Sequence, residues 1–312
     1  MSLTRARFLV LRGGAIGDFI LTLPAITMLR ERWPDAEIEI IGYPHVAELA
    51  KVGGLVDRVG SLDKAGIAQF FSRSPVFSDD MVAYIRSFDL VISWLHDRDG
   101  TVRDNLLLAG ARQVLYGSPL VDSGHAIDHL LKPLEALALY GEQEYARLSW
   151  PIARREEGLA HLATLGVGPH PLAIHPGSGS AKKNWAAQEY VALINRISGE
   201  TSWSPYVILG EADEALREHF QHIPVWTGAS LLETASVLSA SQAFIGNDSG
   251  ITHLAGALGL PVIALYGPTD PETWAPRGRH VRIVFADDGD LSRLHIEQVW
   301  SHVQTWHDHG MH

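Results

Sequence analysis

The segment Phe244–Pro268 combines an apolar run with the residues Asn-Asp-Ser-Gly, placed where a helix should begin. Asp248 and Ser249 are residue types that cap helices. The N–H groups of the first turn, which Gly250 opens, carry partial positive charge and could bind a phosphate group. His253 follows one turn later on the same face. The same pattern also fits an ordinary capped helix with an incidental histidine.

A second segment, His175–Trp185, reads HPGSGSAKKNW and again follows an apolar run. Its glycines, Gly179 among them, allow backbone amides to approach an anion, Ser178 offers a hydroxyl, and Lys182 and Lys183 supply positive charge. A Walker nucleotide-binding pattern is absent, because no Gly-Lys-Ser/Thr follows at the required spacing. An ordinary polar loop with solvated lysines is the alternative interpretation.

A third segment, Arg12–Pro24, reads RGGAIGDFILTLP and places Asp18 at a predicted helix N-terminus after a glycine turn. A carboxylate there could accept a proton from a substrate, or it could simply be a favourable first-turn residue. The glycines do not spell G-x-G-x-x-G, so a nicotinamide-dependent oxidoreductase is not favoured. Glu211 follows another apolar run, where it could bind a ribose hydroxyl.

Short apolar runs alternating with helical segments must position these residues, which predicts an α/β fold with parallel, doubly wound sheets. The predicted strands are Phe8–Leu11, Ile38–Ile41, Leu55–Val59, Leu90–Trp94, Val114–Tyr116, Leu172–His175, Tyr206–Leu209, Ala243–Gly246 and Val262–Tyr266. The predicted helices are an amphipathic one after the first glycine turn, then Ala187–Ile197, Leu231–Leu238, Ile251–Leu258 and a closing helix Leu294–Trp306. The polar stretch Tyr140–Glu157 is predicted to link two domains, residues 1–150 and 151–312. Ligands are expected at the carboxyl ends of the strands.

The composition narrows the class of protein. Apolar residues make up 46% of the 312 residues and charged residues 20%, which suits two folded cores. The absence of cysteine excludes disulfides and thiolate metal sites. A formal charge of −11 argues against nucleic acid as a partner. The chain shows neither a signal peptide nor an apolar run long enough for a membrane span, so a cytoplasmic location is expected.

Taken together, the three segments resemble glycosyltransferase family nine, the lipopolysaccharide heptosyltransferases. The resemblance rests on the glycine turn with Asp18 before Thr-Leu-Pro, the His-Pro-Gly loop leading to Lys183, and the motif Asn-Asp-Ser-Gly-x-x-His. It implies a GT-B fold, in which two Rossmann-like domains face each other across a cleft. It also implies transfer of heptose from ADP-heptose to a sugar hydroxyl of the lipopolysaccharide inner core, with inversion and without a metal or other cofactor.

The resemblance further assigns roles to individual residues. Asp18 matches the proposed general base, Lys183 the lysine that binds the donor phosphates, and Glu211 the carboxylate near the nucleoside. The remaining matches, in the donor loop and in the segment that holds the pyrophosphate and the donor sugar, are Ser178, Gly179, Asp248, Ser249, Gly250 and His253. The N-terminal domain is then expected to bind the acceptor and the C-terminal domain the nucleotide sugar. Contact with the cytoplasmic face of the inner membrane is a further expectation.

The stretch Ser93–Asp99, followed by Arg103, departs from the family pattern in a region that normally meets the acceptor. The acceptor, which is lipopolysaccharide core or another glycan, therefore stays open, as does the donor sugar. A family member using another nucleotide sugar is one alternative. A nucleotide-sugar-binding protein without turnover is another, although binding alone would not need Asp18.

Overall fold

The structure, a computed structural model, describes residues 5–141 and 145–308. The chain divides into two compact units, Met1–Glu144 and Tyr145–His312. The described part of the first unit contains a five-stranded sheet and that of the second a six-stranded sheet, and every strand pair in both is parallel. This confirms the prediction of two Rossmann-like parallel-sheet domains.

The sheet of the first unit has the strand order β3-β2-β1-β4-β5. Its strands are β1 Arg7–Leu11, β2 Glu37–Gly42, β3 Arg58–Ser61, β4 Leu90–Ser93 and β5 Val114–Tyr116. Its helices are α1 Ile16–Arg32, α2 Pro44–Val52, α3 Ala65–Ala68, α4 Asp79–Arg86, α5 Thr101–Leu108 and α6 Ala126–Leu131, with 3-10 turns at Gln69–Phe71 and Lys132–Leu137.

The sheet of the second unit has the order β11-β10-β9-β6-β7-β8. Its strands are β6 Pro171–His175, β7 Ser204–Ile208, β8 Val225–Trp226, β9 Ala243–Asn247, β10 Val262–Tyr266 and β11 Val281–Phe285. Its α-helices are α7 Ile152–Thr164, α8 Ala187–Glu200, α9 Leu231–Ser239, α10 Gly250–Ala257, α11 Pro271–Trp274 and α12 Ile296–Asp308. Its 3-10 segments are Ala181–Lys183, Glu211–Phe220, Asp287–Gly289 and Leu291–Arg293.

Each sheet has one point where the chain reverses its direction of winding. In the first unit this point lies between β1 and β4, and in the second between β6 and β9. Loops that leave the carboxyl ends of two such strands diverge, and ligands of open α/β sheets bind in the gap. The three segments singled out from the sequence all begin at these strands, because they follow β1, β6 and β9 directly.

Helix α1 is buried more completely than its predicted amphipathic pattern implies. Ten of its seventeen residues are buried, Phe19 to Ala25 among them, and the helix packs against both α2 and α6. A helix covered on more than one side needs no polar face. The helix also continues through Pro24. Among the helices of the described residues, none has both the length and the apolar character that a bilayer span requires.

Three predicted features differ from the structure. The third strand was expected at Leu55–Val59 but is Arg58–Ser61, because Leu55 and Val56 fill the core as the buried turn after α2. The stretch Tyr140–Glu157, which was expected to be a linker, includes the first six residues of α7, and residues 142–144 of it lie outside the described residues. Strands β8 and β11 were not predicted.

Candidate active site

The loop 176–185, between β6 and α8, is held at both ends by Asn247, the last residue of β9. Asn247 is fully buried, and its Nδ2 donates to the Pro176 carbonyl oxygen at 2.7 Å. Its Oδ1 accepts from the Trp185 backbone N–H at 3.2 Å and from the Tyr190 hydroxyl at 2.9 Å. A buried amide with these three hydrogen bonds fixes where the loop starts and ends.

Inside the loop, Ser178 and Gly179 differ in what holds them. The Ser178 hydroxyl lies 2.7 Å from the Ser180 carbonyl oxygen and 2.6 Å from Asn184 Oδ1, so it shapes the loop itself. Gly179 is exposed, and a Cβ built on it would meet no atom within 4 Å. The loop's own packing therefore does not require glycine at this position, whereas a ligand lying against the backbone would.

Lys183 forms the central ion pair of this region. Its Nζ lies 2.7 Å from Oδ2 of Asp248, the residue that follows β9. Asp248 is 8% exposed, while about a third of the Lys183 side chain is accessible, so the pair has a buried and an open end. Burial raises the pKa of the nearby Tyr266 hydroxyl, and the Asp248 carboxylate raises it further. The Lys183 ammonium group is thus held by Asp248 at the point where the second sheet reverses its direction of winding.

Helix α10 begins beside this pair. Ser249 is its N-cap, with the hydroxyl accepting from the Thr252 N–H at 3.3 Å, so one of the two predicted capping residues is confirmed. Gly250 is the first helical residue, and His253 is buried one turn later with its N–H donating to the Ser249 carbonyl oxygen. The first-turn N–H groups that Ser249 does not satisfy are donors suited to an anion.

Glu211 lies on the turn after β7. The side chain of Asp213, on the same turn, lies against loop 176–185. Glu211 is exposed and opens the 3-10 segment after β7. Two residues later, Asp213 is buried, and its Oδ2 accepts from the Gly210 N–H at 3.0 Å. A Cβ on Gly177 would fall 1.9 Å from Asp213 Oδ1, so the carboxylate lies directly against the glycine backbone. Asp213 was not predicted from the sequence, although the glycine of the His-Pro-Gly motif is a signal of such close approach.

His175, at the end of β6, supports the same junction. It is buried, and its Nδ1 donates to the carbonyl oxygen of Ile208, the last residue of β7. Burial lowers the pKa of His175, and the nearby Asp213 carboxylate acts in the opposite direction. A neutral imidazole with Nδ1 protonated suits this hydrogen bond. The histidine therefore holds the ends of two strands together at the base of the loop.

In the first unit, Asp18 is the third residue of α1. Its Oδ2 accepts from the Ala15 N–H at 3.0 Å, which closes the first turn of the helix. Gly14 has a φ of 95°, and a Cβ there would lie 3.0 Å from Asp18 Oδ2. The turn thus requires glycine both for its conformation and for its closeness to the carboxylate. Oδ1 has no hydrogen-bond partner in the part of the chain that the structure describes.

Arg12 lies at the base of this turn and was not identified from the sequence. It is 3% exposed, with Nε donating to Thr22 Oγ1 at 2.8 Å and its two terminal nitrogens donating to the carbonyl oxygens of Trp94 and Asp18 at 3.3 and 2.9 Å. Burial lowers the pKa of Arg12, and the negative charge of Asp18 opposes that shift. The guanidinium joins the ends of β1, α1 and β4 and places positive charge near the carboxylate.

The stretch Ser93–Asp99, which departs from the family pattern, contains an aspartate that stabilises the fold. Asp97 is buried, and its two carboxylate oxygens accept from the Val102 and Arg103 N–H groups, both at 2.9 Å. It therefore caps α5 and is committed to the fold. The side chains of His96, Arg98 and Arg103 are exposed around it. These three basic residues follow the end of β4 in the chain.

Comparisons with known proteins identify the family and the fold of this chain. Residues 112–303, more than half of the chain, match the family model of glycosyltransferase family 9 (heptosyltransferase). Lipopolysaccharide heptosyltransferase 3 of Escherichia coli is 26% identical in an alignment 309 residues long that covers 87% of this chain and 86% of the relative. The solved structure of the glycosyl transferase family 9 from Veillonella parvula DSM 2008 superposes with a TM-score of 0.82 at 20% identity, covering 99% of both chains.

A second solved structure, E. coli heptosyltransferase WaaC with ADP-2-deoxy-2-fluoro heptose, has a TM-score of 0.69 at 19% identity and covers 96% of this chain and 99% of its own. At such identities the structural likeness establishes the fold. The match to the family model, which spans residues 112–303 and so includes β5 of the first unit and nearly all of the second unit, establishes the family. The chain belongs to glycosyltransferase family 9, the heptosyltransferases.

Proposed function

We propose that this protein transfers heptose from ADP-heptose to a sugar hydroxyl of the lipopolysaccharide inner core. The observation that carries the proposal is the Lys183–Asp248 pair at 2.7 Å beside the start of α10. This is a compact source of positive charge and N–H donors at the winding reversal of a parallel sheet. The names of the relatives support the choice of substrates, since one is a lipopolysaccharide heptosyltransferase and another was solved with an ADP-heptose analogue.

Donor binding exchanges the partner of Lys183 in this proposal. The ammonium group moves from Asp248 to the diphosphate, which the first turn of α10 at Ser249 and Gly250 also binds. Asp248 is then free to accept hydrogen bonds from the hydroxyls of the donor sugar. Glu211 binds a ribose hydroxyl of the nucleoside, and His253 supports the sugar-phosphate end from within α10.

The chemical step is a single displacement. The acceptor oxygen forms a bond to the anomeric carbon on the face opposite to the phosphate, the bond from that carbon to the phosphate oxygen breaks, and its electron pair leaves with ADP. The configuration at the anomeric carbon inverts. Asp18 accepts the proton of the attacking hydroxyl. Lys183 and the α10 N-terminus stabilise the negative charge that grows on ADP, so the step proceeds without a metal.

Asp18 acts late in this step. The start of α1 and the buried guanidinium of Arg12 both place positive charge near its carboxylate. The carboxylate therefore orients the acceptor hydroxyl and accepts its proton once bond formation has made that hydroxyl acidic. In this proposal Oδ1 accepts the proton, because Oδ2 already accepts a hydrogen bond from the Ala15 N–H.

The proposal is tested by incubating the purified protein with ADP-heptose and a heptose-deficient inner-core acceptor. We expect release of ADP, a product one heptose heavier, and an inverted anomeric configuration in its NMR spectrum. A panel of other ADP, UDP and GDP sugars covers the alternative donors. Turnover with one of these alone would overturn the donor assignment, and donor binding without turnover on any core acceptor would overturn the enzymatic function. Cell fractionation tests the associated proposal of a cytoplasmic protein that meets its lipid-linked acceptor at the inner membrane.

A further inference from the structure

A cavity of about 320 Å³ lies in the second unit, away from the residues assigned above. It is lined by residues from 145–149, from the end of α10 and the following turn, and from 278–281. The latter two segments lead into the amino ends of β10 and β11. Because strands of a parallel sheet all point the same way, the cavity occupies the sheet edge opposite to that of loop 176–185. It is independent of the proposed transfer site.

The cavity wall carries positive charge without a compensating acid. Arg147, Arg279 and His280 line it, and no aspartate or glutamate is among the lining residues. The Arg147 guanidinium lies 4.3 Å from the centre of the Tyr145 ring, which orients it by a cation–π contact. Within residues 5–141 and 145–308, no carboxylate forms an ion pair with Arg147 or Arg279.

Several other arginines of the same unit are neutralised locally, although Arg155 and Arg282 form no ion pair among the described residues. Arg196, Arg217 and Arg293 each form an ion pair with a glutamate or aspartate. The unit contains 11 Lys and Arg against 17 Asp and Glu, a formal charge of −6 (11 − 17). Arg147 and Arg279 line one cavity, and neither is paired with a carboxylate of the described residues, so the cavity presents two guanidinium groups to an anion.

We propose that this cavity binds a soluble phosphorylated small molecule, with its phosphate group between Arg147 and Arg279. Guanidinium groups bind phosphate oxygens through paired hydrogen bonds, which suits the planar ends of both side chains. The glycines Gly256, Gly259 and Gly278 add no side chains to the wall, and the Tyr145 ring offers a flat apolar surface for the rest of the ligand.

The ligand would join two segments that are separate in sequence. Arg147 belongs to the first residues of the second unit, where the Leu148 N–H donates to the Ala257 carbonyl oxygen at 2.8 Å. Arg279 belongs to the turn before β11. A phosphate held by both should slow amide hydrogen exchange in residues 145–149 and 278–281 together, because exchange requires local opening that the bound ligand opposes.

The test uses inorganic pyrophosphate as the probe and hydrogen–deuterium exchange with calorimetry as the readouts. The wild type should show protection of both segments, and the variant Arg147→Gln/Arg279→Gln should lose it and bind pyrophosphate at this site at least about tenfold more weakly. The control variant Arg217→Gln/Arg293→Gln removes the same charge from elsewhere in the unit and should keep the protection. All four positions are exposed, so the folds should survive, which melting curves verify.

Three outcomes would overturn the proposal. One is the absence of protection in the wild type at millimolar pyrophosphate, and another is an equal loss in the control variant. The third is binding of phosphatidylglycerol vesicles that depends on Arg147 and Arg279 without any pyrophosphate binding, because the ligand would then be a lipid surface. Lys183→Ala separates this site from the donor site: it should leave protection of 145–149 and 278–281 unchanged, whether or not ADP-heptose is the donor.

Discussion

Lys182 and Lys183 are neighbours in sequence with different surroundings. Lys183 forms the ion pair with Asp248, whereas Lys182 is exposed with no ion pair among the described residues. We expect Lys183→Ala to weaken ADP binding by about 1.5–3 kcal/mol, the range for losing a charge-assisted hydrogen bond, and Lys182→Ala to change it by much less. Calorimetric titration with ADP measures both variants. Equal effects in the two would mean that only general positive charge matters, and unchanged affinity in Lys183→Ala would remove it from the site.

The variant Gly179→Ala tests ligand binding at a position where the substitution should not affect folding. A methyl group there meets nothing in the free protein, and the residue has no positive φ, so Gly179→Ala should leave the melting temperature unchanged or slightly higher. If phosphate approaches the backbone at this point, the methyl group should weaken ADP binding by about 1–3 kcal/mol, as overpacking does. Gly199→Ala on α8, where a Cβ also meets nothing, is the matched control. An ADP affinity equal to the wild type would place the ligand elsewhere.

The role of Asp18 can be separated from its contribution to the helix. Asp18→Asn keeps an oxygen that can accept from the Ala15 N–H, so the first turn of α1 and the fold should persist. Loss of the proton acceptor should lower the transfer rate by roughly 10²–10⁴, the usual contribution of a general base, with donor affinity retained. Single-turnover transfer with saturating donor, alongside a melting curve, decides the matter. A folded variant with normal turnover would make Asp18 a structural residue.

At the scale of elements, loop 176–185 and the turn after β7 depend on each other through Gly177 and Asp213. In Gly177→Ala the new methyl group would overlap the Asp213 carboxylate, which should cost about 1–3 kcal/mol of stability. Asp213→Ala removes the obstacle but also the hydrogen bond to Gly210. The double variant should therefore be less destabilised than the sum of the single variants, by about 0.5–3 kcal/mol. Urea unfolding of all four proteins measures this difference, and strict additivity would show that the contact is unimportant.

Apolar strands were recognisable from the sequence because they are short, fully buried runs. Val114–Tyr116 and Val262–Tyr266 were predicted with their observed bounds. Helix α7 was missed for the opposite reason. It packs on α9 through Gly158, where a Cβ would lie 2.1 Å from the Ser236 carbonyl oxygen, and its apolar Ile152 is exposed. Packing that depends on a missing side chain produces no apolar period. Edge strand β11 has a single buried residue, Val284, and β8 is only two residues long, so neither forms a buried apolar run.

The candidate site likewise contains features that could be predicted from the sequence and features that could not. Its local parts, such as the Ser249 cap and the position of Asp18 in α1, follow from adjacent residues and were predicted. The residues that hold those parts were not, because their partners are remote in sequence. Arg12 contacts Trp94 across 82 positions, and Asn247 reaches Pro176 across 71. Side chains of this kind become recognisable only when the sheet order brings their strands together.

For the whole molecule, the main electrostatic question is where an acidic chain finds positive charge for a diphosphate. The formal charge is −11, and the donor and leaving group proposed above are both anions. A bound divalent metal is one general solution, and fixed cations with helix N-termini are the other. In the second unit, Lys183 next to the start of α10 provides the fixed kind, and its carboxylate partner Asp248 keeps it in place until an anion arrives.

The two solutions differ in their response to chelation. If Lys183 and α10 stabilise the leaving ADP, transfer should proceed in excess EDTA at the rate seen with magnesium, while Lys183→Ala should lower the rate in both conditions. The rate is measured by ADP release from the full chain after dialysis against EDTA, with added Mg²⁺ or Mn²⁺ as the comparison. A wild-type reaction that stops in EDTA and returns with either ion would contradict the leaving-group chemistry proposed here. It would also assign Asp248, the buried carboxylate at this position, to the metal instead of to Lys183.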